Sequence, residues 1–276
     1  MKARRKKIKK TILYVLLLLV FFIYVVPILW MTTSSIKEEK DAFSMPPKVF
    51  AKPTLANYRD AFAVRGFSKN FVNSIIVSVG SSFFALLLGT PAAYALSRFK
   101  MRRKEDLFFW FLSTRMAPPI LAALPIFIIS RKMGIFDTRG LLIIMNTLIN
   151  LSWVVWMMRS FFDELPVQID EACMVDGLTR VTALTKVILP LARPGLVATL
   201  IFCLVLSWNE YFFALVLTSV RAVTLPAAIT SFLTIHGLLW GQMCAAGTII
   251  MLPILFFVFI VQKHLIRGLT MGAVKG

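Results

Sequence analysis

The residues that most often perform acid–base or metal chemistry are sparse in this chain and lie far apart. Its two histidines, His236 and His264, have no carboxylate or cysteine at the spacing of metal ligands, and a metal site needs several convergent ligands. The three cysteines, Cys173, Cys203 and Cys244, form no CxxC pair and are interpreted as small apolar side chains. The sequence therefore predicts no catalytic residue, no metal site and no cofactor bound by this chain.

Several polar side chains lie instead within long apolar runs, where a polar group is costly and is by default a functional candidate. The candidates for lining a solute pathway are Arg115, Asn146, Asn150, Asn209 and Glu210. Arg115, which is followed by Pro118 and Pro119, either lines such a pathway or has a structural ion pair or freed carbonyls as partners. The two asparagines share one helix face and either bond a neighbouring helix or contact solute hydroxyls. Glu210 binds, gates or has a structural role.

The apolar runs themselves determine the class of protein. Of the 276 residues, 58% are hydrophobic and the mean hydropathy is +0.80, whereas soluble domains are roughly 45–50% apolar. A membrane-spanning helix needs about 20 mainly apolar residues. Six segments meet that requirement: 12–31, 70–97, 107–130, 140–158, 195–218 and 241–262. The sequence thus predicts an all-α integral membrane protein with about six transmembrane helices, and segment 222–237 is interpreted as a re-entrant or surface helix outside.

The basic residues predict the orientation of these helices. With the N-terminus inside, 19 of the 31 Lys and Arg residues fall in inner segments and 11 in outer ones, with Arg115 inside a span. Inner loops carry the excess of positive charge in membrane proteins. We therefore expect a basic cytoplasmic N-terminus over 1–11, a transmembrane domain over 12–262 and a cytoplasmic tail over 263–276. The net charge of +18 then reflects topology and lipid contact rather than nucleic acid binding.

The inner loop over 159–194 is too polar to span the membrane, yet it is patterned. Asp163 or Glu164 can begin a helix that Gly177 is placed to end. Thr179 can cap a second short helix that Pro190 must stop. Two helices joined at a glycine would offer a small apolar face with acidic edges to a soluble partner, or would lie on the lipid surface. Ile169, Ala172 and Cys173 are expected on that face.

This loop resembles a motif of one protein family. The pattern Glu-Ala-Ala-x3-Gly-x9-Ile-x-Leu-Pro marks the membrane subunits of binding-protein-dependent ABC importers, and this chain has Glu171-Ala172-Cys173, Gly177 and Val187-Ile188-Leu189-Pro190 at the same spacing. In that family the loop is the coupling helix that docks on an ATPase subunit. The resemblance therefore implies ATPase coupling by Asp170, Glu171, Ala172, Cys173, Asp176, Gly177, Leu189 and Pro190, within a type I ABC importer permease fold.

Two further stretches resemble the carbohydrate branch of the family. Ser207-Trp208-Asn209-Glu210-Tyr211 looks like a motif of carbohydrate permeases, and the tail from Arg267 to Gly276 resembles that of the maltose-type permease subunit. The resemblance implies a bacterial inner membrane location. It also implies four kinds of partner: a second permease subunit forming a heterodimer, two ATPase subunits, an extracytoplasmic solute-binding protein and membrane lipid. ATP and Mg²⁺ would be used by the ATPase subunits, because this chain has no phosphate-binding loop of the Gly-x4-Gly-Lys-Ser/Thr type.

Other functions remain as alternatives to sugar import. An ABC permease for a polyol, a glycerol phosphodiester or a sulfonated sugar would share the same loop. A secondary transporter should have broken helices repeated in two halves, whereas only the third predicted span is clearly interrupted. A membrane enzyme should have convergent His, Asp or Cys residues within its spans, which this chain lacks.

Overall fold

The computed structural model describes residues 2–48, 51–63, 66–234 and 237–272, which are helical over most of their length. The helices are α1 (Lys2–Ser35), α2 (Glu39–Ala42), α3 (Ala56–Ala63), α4 (Phe67–Arg98), α5 (Lys104–Ser113), α6 (Pro119–Lys132), α7 (Arg139–Glu164), α8 (Val167–Val175), α9 (Arg180–Ala183), α10 (Leu189–Leu191), α11 (Arg193–Trp208), α12 (Phe212–Leu217), α13 (Leu225–Ala228) and α14 (Trp240–Gly272). A π-helical turn covers Leu184–Ile188, a 3-10 turn covers Ile229–Phe232, and strands β1 (Leu233–Thr234) and β2 (Gly237–Leu238) form a hairpin.

Four helices in the described part of the chain are long and apolar enough to cross a membrane. They lie in α1, α4, α7 and α14, and a fifth candidate is the pair Arg180–Leu191 and Arg193–Trp208, which is bent by 84°. The expectation of a helical membrane protein is confirmed. The third predicted span is two helices, α5 and α6, and the fifth is also interrupted, between α11 and α12. The expectation that only the third span is broken was therefore wrong.

The chain divides into two compact units, of which the first comprises Met1–Phe67 and Ile229–Leu252. Within it, the buried Asn57 donates hydrogen bonds to the carbonyls of Ser35 and Lys37 at 2.9 and 2.7 Å. Glu39 accepts from the backbone N–H of Gly241 at 3.0 Å. The apolar stretch of α1 is exposed along its length within this chain. An apolar surface of that extent is left to lipid or to another protein rather than to water.

The second unit comprises Ser68–Ala228 and Pro253–Gly276, and its core lies between α4, α7 and α11. The small residues of α4 allow a close approach to α7: a Cβ at Gly89 would lie 2.7 Å from Val154, and one at Gly80 would lie 3.0 Å from Ile143. Such contacts are how helices associate in lipid, where burial of apolar surface supplies no drive. The small-residue pattern of the second predicted span thus has a structural explanation.

A carboxylate in the α6–α7 connection fixes the segment that follows α12. Asp137 accepts hydrogen bonds from the backbone N–H groups of residues 219–222 at 2.9–3.1 Å and from the Ser219 hydroxyl at 3.1 Å. Asn73 of α4 donates to the carbonyls of Arg221 and Val223 and accepts from the Arg139 Nε at 2.7 Å. We call Asp137, Asn73, Arg139 and the segment 219–223 the Asp137 cluster.

The described residues of segment 222–237 form only short elements. The single turn of α13 is followed by the 3-10 turn and the hairpin, in which Leu233 pairs with Leu238 and Thr234 with Gly237. The segment is thus not a seventh span, as expected, but it forms no continuous re-entrant or surface helix either. His236 lies outside the described residues.

Candidate functional site

The first helix of the 159–194 loop begins later than its acidic residues suggested. Asp163 and Glu164 are the last residues of α7, and α8 begins at Val167 after Pro166. The residue that precedes a proline is disfavoured in the helical region, and Leu165 is accordingly extended, at φ −81° and ψ 133°. The proline therefore separates two helices, and the predicted helix start at Asp163 or Glu164 was wrong.

The end of α8 is as predicted. Gly177 has φ +79°, a conformation that L side chains rarely adopt. The N–H of Leu178 donates to the Cys173 carbonyl at 3.0 Å, and that of Gly177 donates to the Met174 carbonyl at 3.1 Å. These two bonds form a Schellman motif, which pairs the last carbonyls of the helix and reverses the chain. The glycine is thus a backbone requirement of the turn.

The second helix starts where expected and ends later. Thr179 caps it by accepting from the Thr182 N–H at 3.2 Å, but the helical path continues through Pro190 to Leu191. The N–H of Leu189 donates to the Leu184 carbonyl, which makes a π turn just before the proline. This wider turn accommodates a residue that lacks an N–H and would clash with the carbonyl four residues earlier. The prediction that Pro190 stops the helix was therefore wrong.

The exposed face of α8 differs from the one expected. Gln168, Glu171, Ala172 and Val175 are exposed, and Val175 is 87% accessible. Ala172 is on this face as expected, but Cys173 is buried and Ile169 packs against the core of the second unit. Of the remaining predicted coupling residues, Asp176, Gly177 and Pro190 are exposed and Leu189 is half-buried. The exposed face combines one carboxylate with small and medium apolar side chains.

Asp170 points away from this face into a polar cluster with the end of α4. Its side chain is 1% exposed and accepts from the Arg98 Nε at 2.8 Å and from the Tyr94 hydroxyl at 2.5 Å. Arg98, whose side chain is 4% exposed, also donates from Nη2 to the Leu165 carbonyl at 2.8 Å. We call Tyr94, Arg98 and Asp170 the Asp170 cluster. It is a buried, fully paired ion pair between α4 and α8.

A second ion pair, whose carboxylate partner is exposed, lies near the same end of α7. Arg159 donates from its two Nη atoms to the Glu105 carboxylate at 3.1 and 2.6 Å and lies over the Phe108 ring at 4.2 Å. The Glu105 side chain is 71% exposed. Surface pairs of this kind contribute little to stability. This pair joins α5 to α7 and does not involve α8.

A cavity of about 440 Å³ opens beside α8. Its lining residues are Arg98, Phe99, Lys100, Val167, Asp170, Glu171 and Arg180. Lys100 and Arg180 are exposed, as is Glu171. The exposed α8 face is therefore flanked by a recess with both signs of charge.

Most of the residues predicted for a solute pathway are bonded within the second unit. Asn150 donates to the Ser207 hydroxyl at 2.6 Å, and Ser81 donates to the same hydroxyl at 2.9 Å, which links α7, α11 and α4. Asn146 donates to the Leu142 carbonyl of its own helix at 3.0 Å. Both asparagines are buried. The alternatives for this pair were a bond to a neighbouring helix and contact with a solute. Asn150 bonds a neighbouring helix, α11, and Asn146 is bonded within α7.

Glu210 and Asn209 lie at the break between α11 and α12. The Glu210 carboxylate accepts from the N–H groups of Phe213 and Ala214 at 2.9 and 3.2 Å, so it caps α12. Asn209 is exposed and donates to the Val205 carbonyl at 2.8 Å. These bonds give Glu210 a structural role, which was one of its alternatives beside binding and gating.

Arg115 occupies the break between α5 and α6. It is exposed, and its guanidinium lies over the Trp153 ring at 5.3 Å. No acidic side chain among the described residues forms a salt bridge with it. It is thus the one predicted pathway residue whose charged group is both exposed and without a counter-charge in the described part of this chain.

Sequence reasoning missed the partners of Asp170. Tyr94 and Arg98 are one helical turn apart and so share a face at the end of α4, which is the available signal. In the sequence, Arg98 is one of the 19 inner basic residues that predict the orientation of the helices. As for metals, the described ranges contain no group of three His, Cys, Asp or Glu side chains that could hold an ion.

Comparison with known proteins gives the same family throughout. Residues 3–271 match the family described as binding-protein-dependent transport system inner membrane component. The chain is 36% identical to the trehalose transport system permease protein SugB of Mycobacterium tuberculosis, over 91% of this chain and 93% of that protein. It is 32% identical to the trehalose/maltose transport system permease protein MalG of Thermococcus litoralis, over 99% of both chains.

A solved structure shares the fold. The crystal structure of a bacterial ABC transporter involved in the import of the acidic polysaccharide alginate contains a chain that superimposes with a TM-score of 0.78. The match covers 94% of this chain and 97% of that chain at 23% sequence identity. At this identity the likeness shows the fold alone. The Asp170 cluster and the exposed α8 face of this chain thus lie on an ABC importer permease fold.

Proposed function

This chain belongs to the family of binding-protein-dependent transport system inner membrane components, and on that premise we propose that it is a permease subunit of an ATP-driven importer for a sugar or sugar-like solute. Its relatives named above are permeases of trehalose and trehalose/maltose transport systems. The chain is a transport subunit rather than an enzyme. ATP hydrolysis belongs to partner ATPase subunits.

One observation carries the proposal: the family motif folds into two short helices around Gly177, with Glu171, Ala172 and Val175 exposed. The Schellman motif gives this element a fixed shape. An ATPase subunit that held the exposed face would move it as a unit when the ATPases close on ATP. Such a displacement biases a two-state change between outward and inward access.

The proposed topology has six spans and cytoplasmic termini in a bacterial inner membrane. Four spans are the long helices of α1, α4, α7 and α14, and two are interrupted pairs, α5 with α6 and α11 with α12. The basic clusters at 98–104 and 159–193 then lie with α8 on the cytoplasmic side, as the distribution of charge favours. The partners are a companion permease, two ATPase subunits, a solute-binding protein and lipid.

The ATPase contact is tested with two glycines of the same conformation. Gly177 and Gly134 have φ of +79° and +68°, and a Cβ on either would meet no atom within 4 Å. A β-branched residue at φ > 0 strains the backbone wherever it stands. Gly177→Val should therefore abolish stimulation of ATP hydrolysis by loaded binding protein in the reconstituted importer, whereas Gly134→Val, with comparable strain, should leave it within about twofold.

Replacing Glu171 by alanine tests the exposed face directly, since this change removes a carboxylate without disturbing the turn. We expect loss of stimulated hydrolysis and reduced recovery of the ATPase subunit when the complex is purified. Wild-type hydrolysis and uptake by both Glu171→Ala and Gly177→Val would contradict the coupling role. Uptake by the purified chain in liposomes without any ATPase would contradict the class of transporter.

The solute is identified through the cognate binding protein. Calorimetric titration with trehalose, maltose, mannitol, a glycerol phosphodiester and a sulfonated sugar separates the sugar proposal from its alternatives. Binding of a disaccharide alone supports a neutral sugar. Arg115 favours an anionic solute as the second candidate, because its guanidinium has no acidic partner in the described residues and guanidinium groups bind carboxylate, sulfonate or phosphate oxygens well.

A further inference from the structure

The residue before the motif glutamate has a different environment from the glutamate itself. Glu171 is exposed, whereas Asp170 is 1% exposed and is held by Arg98 and Tyr94 of α4. A step of one residue turns a helix by about 100°, so the two carboxylates of α8 face in different directions. One faces outward and the other faces the membrane helices of the second unit.

The contacts of Arg98 join three parts of the chain. Its Nε bonds Asp170 of α8, its Nη2 bonds the Leu165 carbonyl between α7 and α8, and its own backbone ends α4. The inner side of α8 adds apolar contacts, because Ile169 packs against a cluster that includes Tyr94 and Phe162. Because the ion pair is buried, it is screened little by salt and neither partner can leave it without exposing a buried charge.

Helix α4 is in turn packed tightly against the rest of its unit. Gly89 lies against Val154 with no room for a Cβ, and Ser81 bonds Ser207. A displacement of the end of α4 would therefore be passed to α7 and α11, since close-packed interiors transmit strain rather than absorb it.

We propose that Asp170 and Arg98 are positioning residues that fix α8 to the end of α4, so that movement of the exposed Glu171 face is delivered to the membrane helices. The proposal rests on the proposed function. It assigns Asp170 to force transmission within this chain and removes it from the surface that meets the ATPase. Tyr94 supports the pair by donating to the second carboxylate oxygen.

The test compares Asp170→Asn with Glu105→Gln in the complete reconstituted importer. The control breaks the ion pair with Arg159, which joins α5 and α7 near the same end of α7. Asp170→Asn should retain ATPase subunits at the wild-type ratio and retain basal hydrolysis, while uptake of radiolabelled trehalose per ATP hydrolysed falls roughly tenfold. Asp170→Glu, which keeps the charge, should recover most of this ratio, and Glu105→Gln should match the wild type.

Two results of this comparison would overturn the proposal. Loss of the ATPase subunit from the Asp170→Asn complex would place Asp170 on the docking surface, and an unchanged ratio of uptake to hydrolysis would remove its role in transmission. Failure of the proposed function is distinguishable, because the wild-type complex itself would then show no ATP-dependent uptake of any sugar that its binding protein binds.

A distance measurement avoids variants that fold poorly. Spin labels are placed at Val167 of α8 and Leu88 of α4, both exposed, in a chain whose three cysteines are replaced by alanine. If the Asp170 cluster fixes α8 to α4, electron–electron resonance should give the same mean distance in the nucleotide-free and ATP-bound complexes. A distance that changes with nucleotide in this chain, which keeps Tyr94, Arg98 and Asp170, would show that α8 moves independently and would refute the proposal.

Discussion

A buried carboxylate lies near each end of α4, and the two carboxylates are paired in different ways. Asp170 accepts hydrogen bonds from the guanidinium of Arg98 and the hydroxyl of Tyr94, both side chains of α4. Asp137 accepts hydrogen bonds from four consecutive backbone N–H groups, those of residues 219–222. Asn73 of α4 donates to the carbonyls of Arg221 and Val223 beside them. One carboxylate thus accepts hydrogen bonds from side chains, and the other accepts them mainly from backbone N–H groups.

This difference matters for what each cluster can do. A pair of side chains joins two separate helices and depends on the identity of both residues. A carboxylate that caps successive N–H groups selects one conformation of a loop and depends on only one side chain. We conclude that the Asp170 cluster is suited to joining helices that must move together, and the Asp137 cluster to holding a connection in shape.

The largest expected effect comes from removing one partner of the Asp170 cluster. Arg98→Met leaves the Asp170 carboxylate buried without its counter-charge, and breaking a buried ion pair costs about 3–5 kcal/mol. The double variant Arg98→Met with Asp170→Leu should recover most of that loss, because an apolar pair of similar volume is often neutral. Thermal unfolding of the purified chain in detergent, followed by tryptophan fluorescence, measures both.

The matched control at the other end is Arg221→Ala. The backbone of Arg221 bonds both Asp137 and Asn73, and its side chain is exposed. The backbone N–H and carbonyl of residue 221 are still present after the substitution, so no loss of stability is expected. A loss at Arg221 as large as that at Arg98 would remove the distinction between side-chain and backbone pairing.

The Asp137 cluster should have a pH dependence of known sign. Burial of Asp137 opposes its ionisation, but the backbone N–H groups of residues 219–222 outweigh that effect and lower its pKa from 3.8 to about 2. A carboxyl whose pKa is lower in the folded state stabilises the fold above its ordinary pKa. That contribution, about 2 kcal/mol, is lost as the pH falls from about 4 to about 2.

Asp137→Asn isolates this contribution. Asparagine tolerates the positive φ of 58° at this position, so the variant changes the charge without straining the backbone. It should lose about 2 kcal/mol at pH 7 and should lack the corresponding part of the decline in stability between pH 4 and pH 2. Equal pH profiles for the variant and the wild type, from denaturant titrations, would contradict the lowered pKa.

Sequence reasoning succeeded in the coupling loop where the determining contacts are local. Gly177 and Thr179 were assigned correctly because the bonds of a Schellman motif and of an N-cap join residues within five positions of each other. Pro190 was wrongly predicted to end the second helix. The helix continues through it because a π turn precedes it, and the residue types in the sequence do not predict that turn. The start of α8 was misassigned because Asp163 or Glu164 was expected to begin the helix, with Pro166 in its first turn, whereas Pro166 separates α7 from α8.

The interior direction of α8 could not be read from the sequence. Ile169 and Cys173 form one apolar side and Ala172 and Val175 another, so periodicity alone does not choose between them. The choice is made by Arg98, which lies 72 positions from Asp170. The role of Glu210 could not be read from the sequence either. A carboxylate in an apolar run is by default a functional candidate, and only the structure shows that α11 and α12 are separate helices and that Glu210 caps α12.

The smallest expected effect compares two threonine caps, one near each cluster. Thr179 accepts from the Thr182 N–H at the start of α9, and Thr138 accepts from the Leu141 N–H at the start of α7. Each replacement by alanine removes one N-cap, which is worth about 1 kcal/mol, so the two variants should have similar unfolding free energies. Only Thr179→Ala should also lower stimulated ATP hydrolysis, because only this cap adjoins the turn at Gly177. Equal hydrolysis in both variants would mean that the shape of the turn matters to the stability of the chain but not to its coupling.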